Sequence, residues 1–171
     1  MDFELLKVTY LKLRKSVIRY LDGFDEESYH YQPTEKSNST AWIIPHIVAF
    51  EKLMVTDKIA GYVFPEFISQ ENIEIYKPTV DGFKLSKEEL LTKEEAIKLL
   101  ENAQKVSIEF LDNMINQSDK VKDVDKATAF DRFLFNFSHE TEHLGQLKYL
   151  LGTFKRTRWK LFDGKRGREG R

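Results

Sequence analysis

An all-α protein, a four-helix bundle with one long crossover between the second and third helices, is predicted by three observations. Four segments carry apolar residues at helical spacing, no segment alternates as a strand does, and one connection is far too long to be a turn. The 171 residues suit one domain, long enough to bury roughly 70% of the unfolded chain's surface around a single core.

The first helix runs from Asp2 to Leu21, where Leu6, Tyr10, Leu13, Val17 and Leu21 recur at spacings of three and four. Lys7, Lys12, Arg14, Lys15 and Arg19 fall mostly between them, so the pattern is amphipathic. Gly23 closes it, and Phe24 to Ser39 reads as a polar connector whose last residues, Asn38 and Ser39, offer an N-cap. In the second helix Trp42, Ile43, His46, Ile47, Phe50, Leu53, Met54 and Asp57 fall within an arc of roughly 140° at ~100° per residue, with His46 in its middle. Pro45 cannot donate to the carbonyl of Ala41, so either the first turn is irregular or the helix starts near Ile44, with a bend beside His46 in either case.

Gly61 to Leu91 has no clear period and holds Pro65, Pro78 and five aromatics: Tyr62, Phe64, Phe67, Tyr76 and Phe83. A connection of about thirty residues is long enough to cross between two helices that run the same way. Thr92-Lys93-Glu94-Glu95 is a capping box that opens the third helix, with a stripe from Ala96 through Leu99, Leu100, Ala103, Val106 and Phe110 to Met114, ending near Asn116. Asp125 or Thr128 caps the fourth, whose stripe of Phe130, Phe133, Leu134, Phe137, Thr141, Leu144, Leu147 and Leu151 leads to Gly152. A domain over 1–154 and a basic tail over 155–171 follow. The tail carries eight Lys or Arg against Asp163 and Glu169, so it is +6 and the remainder −7 of a net −1.

Apolar residues at 41% and charged residues at 32% are ordinary for a globular protein, and the near-zero net charge argues against a protein that coats nucleic acid. There is no cysteine, which removes disulfides, thiolate metal sites and a cysteine nucleophile, and leaves histidine and carboxylate as ligands. The N-terminus has acids and no continuous apolar run, so a signal peptide or membrane span is not expected and a cytoplasmic protein is.

Chemistry concentrates in Asn136 to Gln146, where His139 and His143 stand four residues apart and their imidazoles point the same way. The string matches the zinc-protease pattern His-Glu-x-x-His, yet no histidine follows His143 and no sheet is available to hold a peptide. A di-iron site would need a second Glu-x-x-His on a helix, and Glu27-His30 falls in the connector. His139 and His143 lie at the edge of the fourth helix's apolar arc and His46 is central on the second, so a bundle core brings all three together. Three imidazoles bind zinc, nickel, iron or manganese and leave positions open for water and substrate. Taken singly, each would serve as a buried histidine bonded to backbone.

Glu140 falls inside the apolar arc, between Phe133 and Leu147. Three roles are open to it: orienting a ligated imidazole, accepting a proton at the centre, or pairing with a cation from another helix. Glu142 reads as solvent-facing, and His30, beside Tyr31-Gln32-Pro33, reads as an exposed or capping residue outside the site. The crossover aromatics suit core lids or dimer contacts better than a ligand box, and Trp159 among the tail's cations either is solvated or docks on an acidic surface of a partner or on a nucleic acid.

Several stretches together resemble the DinB-like, or YfiT-like, superfamily of metal-dependent enzymes. The first helix is followed by Gly23-Phe24-Asp25-Glu26-Glu27 and the aromatic-x-Pro step Tyr31-Gln32-Pro33. Ser39 to Ile47 resembles its histidine-bearing helix, and His139 to Gln146 its His-x-x-x-His-x-Gly-Gln. The resemblance implies an up-down-down-up bundle that often dimerises, with His46, His139 and His143 as the metal triad. It also implies hydrolysis, or transfer or isomerisation assisted by a low-molecular-weight thiol acting on a small-molecule substrate. A non-catalytic bundle that binds a partner through crossover and tail is the other class of function open to this chain.

Overall fold

The computed structural model describes residues 1–166, with side chains through Arg158. Among these residues the chain is all-helical: α1 (Phe3–Leu21), α2 (Glu26–Tyr29), α3 (Thr40–Met54), α4 (Gln70–Tyr76), α5 (Lys93–Ile115) and α6 (Lys126–Arg166), with short 3-10 turns between. None of them is long and apolar enough to cross a membrane.

The helix starts follow from their caps. The Asp2 carboxylate accepts from Leu5 N at 2.9 Å, Thr92 and Glu95 form the expected reciprocal box, and Asp125 accepts from Ala127 N at 3.0 Å. In α3 the helix begins at Thr40 and runs through Pro45. The Ser39 carbonyl accepts from both Trp42 N and Ile43 N, at 3.2 and 3.0 Å, so the first turn is tightened, while Pro45 leaves the Ala41 carbonyl without its helical donor.

Each of α1 and α3 packs against both α5 and α6, and α4 packs on α3. The arc expected on α3 is too narrow a description, because every residue from Thr40 to Glu51 is buried. The crossover covers the side that α5 and α6 leave open: its Tyr76 is fully buried, and Gly82 lies so close to the Trp42 ring that a Cβ would overlap it. Two short helices, α2 and α4, stand where the connector and crossover read as aperiodic. Four and seven residues are too few to show a period, although Asp25 and Ser69 cap both, accepting from Ser28 N and Asn72 N.

The core has two apolar clusters. One holds Val17, Leu21, Ile43, Ile47, Leu100, Ala103 and Leu147; the other holds Phe3, Leu6, Val55, Phe110, Met114 and Phe133. Buried polar side chains interrupt this core on each long helix: Tyr10 and Arg14 on α1, His46 and Glu51 on α3, Ser107 on α5, and Asn136 and Glu140 on α6. This polar waist contains His46 and Glu140.

The end of the last helix differs from the expectation. α6 does not stop at Gly152 but continues to Arg166. A glycine inside a helix costs only about 1 kcal/mol, and packing beyond it outweighs that. Phe154 is buried with its ring 5.3 Å from that of Tyr31, and Arg158 Nη1 lies 3.3 Å from Asp25 Oδ2. The tail from 155 thus begins as more helix; its side chains from Trp159 onward lie outside the described residues.

Candidate metal centre

His46 reaches the waist from α3, and His139 and His143 reach it from α6. One ligand nitrogen from each lies within 4.8 Å of the other two. Bonds of about 2.0–2.1 Å to a single ion would set those nitrogens about 3.4 Å apart, so the three would draw in by up to about 1.4 Å to share one.

Hydrogen bonding fixes which nitrogens face the centre. His46 Nδ1 lies 2.8 Å from the Tyr76 carbonyl oxygen, and His143 Nδ1 lies 2.9 Å from Gln146 Oε1. The Tyr76 carbonyl can only accept, so the His46 imidazole carries its proton on Nδ1 and leaves Nε2 with a lone pair. His143 Nε2 faces His139 Nε2 at 3.0 Å. The crossover therefore sets the tautomer of one ligand through a backbone carbonyl, a role that no side-chain pattern in the sequence could signal.

Aromatic rings hold two of the imidazoles from behind. Trp42 stacks on His46 with centroids 4.3 Å apart, and Phe50 stacks on His139 at 3.5 Å. Burial disfavours the imidazolium form, lowering His46 to about 4 and His139 to about 3, with His143 adding like-charge repulsion to both. Burial lowers His143 as well, against the opposing pull of Gln146 and Glu142. Three neutral nitrogen donors at neutral pH are the state in which imidazole binds a divalent ion, so the residues present fit such a group.

Glu140 is fully buried, and of the roles open to it the structure displays the ion pair: its Oε2 lies 3.0 Å from Arg14 Nε. Arg14, also fully buried, binds Glu51 through Nη2, and Glu51 accepts in addition from the Tyr10 and Ser107 hydroxyls. Burial pushes the Glu140 carboxyl up to about 7, Arg14 opposing and Glu51 reinforcing the shift. Burial works against the Arg14 charge, but Glu140 and Glu51 together more than offset it and raise its pKa. All four long helices thus contribute to one network beside the histidines.

Arg14 and Glu51 were absent from the expected site, although a signal exists. Arg14 follows Tyr10 by four and precedes Val17 by three, so it occupies the apolar stripe itself. His30 stays apart from the centre, as expected. It caps α2 with a side chain only 7% exposed and Nε2 lying 3.2 Å from Glu26 Oε1, which makes it more buried than its polar surroundings imply. Glu142 is exposed.

No curated protein and no solved structure matches the chain at a significant level. A family model does: the one described as the DinB superfamily matches residues 9–147, a span that holds most of α1, the whole crossover and all three histidines. The chain belongs to the DinB superfamily.

Proposed function

We propose that the protein is a metal-dependent enzyme in which His46, His139 and His143 hold one divalent ion, zinc or nickel, and act on a small-molecule substrate. The observation that carries this reading is the convergence of one ligand nitrogen from each of His46, His139 and His143, all within 4.8 Å of one another. A divalent ion supplies Lewis acidity there, enough to create a nucleophile near neutral pH. Everything else is the chain's own work. Tyr76 and Gln146 hold the rings, Trp42 and Phe50 exclude water from behind them, and Arg14 fixes Glu140. Glu140 is the proposed acid–base or supporting carboxyl: a group pushed up to about 7 exchanges protons near neutrality.

Transfer to or from a low-molecular-weight thiol is the first reaction to assay and hydrolysis the second, both resting on the family. The long helices are read as an up-down-down-up bundle. α1 and α6 pass from the Phe3 cluster to the Val17 cluster and α3 and α5 pass the other way, which supports that order. A bundle domain over 1–154 with a tail over 155–171, a homodimer and a cytoplasmic location complete the proposal. Metal analysis of protein made without a His-tag tests it. One divalent ion per chain, lost in His143→Ala, is expected; protein that holds no ion, and whose melting temperature neither zinc nor nickel raises, ends the reading.

A further inference from the structure

The three histidines are not equally accessible. His46 is 5% exposed, with Trp42 stacked on its ring and its Nδ1 at the Tyr76 carbonyl, whereas His139 and His143 each keep part of their surface in solvent. The side of the centre that a small molecule reaches is therefore the α6 side. Along it Phe135, Ser138, His139, Glu142, His143 and Gln146 follow one another at spacings of three and four, so they share one face of the helix. Glu142 and Gln146 are exposed and make the far end of that face polar. Phe135 makes the near end apolar. It is 46% exposed, and its ring lies 5.3 Å from that of Phe50, which in turn stacks on His139 at 3.5 Å. Helical side chains lean toward the N-terminus, so the His139 imidazole projects over the turn that begins at Phe135.

We propose that Phe135 is a specificity residue of the centre, and that the substrate carries an uncharged apolar arm which packs on the exposed Phe135 ring while its polar end sits at the histidines. The proposal rests on the metal reading for the place where that polar end binds. A single exposed apolar side chain is ordinary; what sets Phe135 apart is the run of ring contacts that joins it to His139. An arm that covers it takes two apolar surfaces out of water at once, and Phe50 already holds the ring, so little side-chain freedom is lost on binding. The direction of the arm follows from the two ends of the face. Glu142 and Gln146 keep water at one end, so the apolar group lies toward Phe135.

The test uses two hydroxamates, which grip zinc through the same pair of oxygens and differ in the arm alone: acetohydroxamate and phenylacetohydroxamate. Their binding to the zinc-loaded full chain is measured by calorimetric titration. The wild type should prefer the phenyl probe by about tenfold. In Phe135→Asn that preference should fall to about twofold or less, and in Phe135→Leu, which restores an apolar surface, most of it should return. A disturbance of the centre itself moves both probes together, so their ratio reads the arm. A preference that is absent from the wild type, or is the same in wild type and Phe135→Asn, overturns the proposal, while acetohydroxamate binding leaves the metal reading standing. Zinc that does not bind at all ends that reading and the proposal with it.

Discussion

Replacing Arg14 with methionine probes the polar waist most severely. The guanidinium lies between Glu51 and Glu140, and all three side chains have no exposed surface. Deleting one partner of such a buried network strands charge in a medium that solvates it poorly, at a cost of about 3–5 kcal/mol. Whole-domain stabilities are about 5–15 kcal/mol, so Arg14→Met should remove a large share of the total. A domain of this size loses about 2–4 °C of Tm per kcal/mol, which puts the shift at about 6–20 °C. The loss should depend on pH in a defined direction. Arg14 is what holds the Glu140 carboxyl down against burial, so in its absence that carboxyl rises above about 7. A group whose folded pKa is raised contributes stability that is present below its unfolded value and lost as pH rises through the folded one. Arg14→Met should therefore fall furthest behind the wild type above pH 7 and recover part of the gap toward pH 5. Urea unfolding followed by circular dichroism at pH 5 and 8 reads both quantities. A loss under about 1 kcal/mol, equal at the two pH values, would mean that the network is solvated and the account of the waist is wrong.

Other consequences are milder. Because burial lowers His46 to about 4 and His139 to about 3, protons should compete little with a metal in the neutral range. Zinc affinity measured by competition with a chelator should begin to fall at a lower pH than ordinary imidazoles impose; a steep loss beginning near the ordinary 6.5 would contradict the burial of the rings. In the metal-free protein those histidines take up fewer protons folded than unfolded, so they make stability rise with pH up to about 6.5. Glu140 works the opposite way between 4.5 and about 7, and Glu140→Gln should steepen the rise. Gly145 lies inside α6 with nothing within 4 Å of where a Cβ would stand, so Gly145→Ala should stabilise by about 1 kcal/mol. Gly82→Ala, whose methyl would enter the Trp42 ring, should destabilise and shift the tryptophan emission.

The histidines were legible because their geometry is local. His139 and His143 are one turn apart on a single helix, and His46 lies on a helix too apolar to be anywhere but inside. The caps at Thr92 and Asp125 were legible for the same reason, since each is a contact between near neighbours. What the sequence hid depends on contacts between distant segments. The Tyr76 carbonyl that fixes His46 is backbone and has no side-chain signature. Arg14 and Glu51 each look like one charge among many until they meet across 37 residues of chain. Gly152 looked like a stop because propensity is a local preference, and Phe154 and the Arg158 pair with Asp25 override it through tertiary contact. α3 looked one-sided because the crossover that covers its other side has too little periodicity to reveal itself.

The central claim is that three imidazoles from two helices converge on one ion. X-ray absorption at the metal edge, on tag-free protein loaded with one equivalent of zinc, measures that directly. Three histidine nitrogens at about 2.0–2.1 Å, reduced to two in His46→Ala and in His143→Ala alike, is the predicted result. A shell of oxygen ligands, or a first shell that neither substitution changes, would place the ion elsewhere and contradict the account.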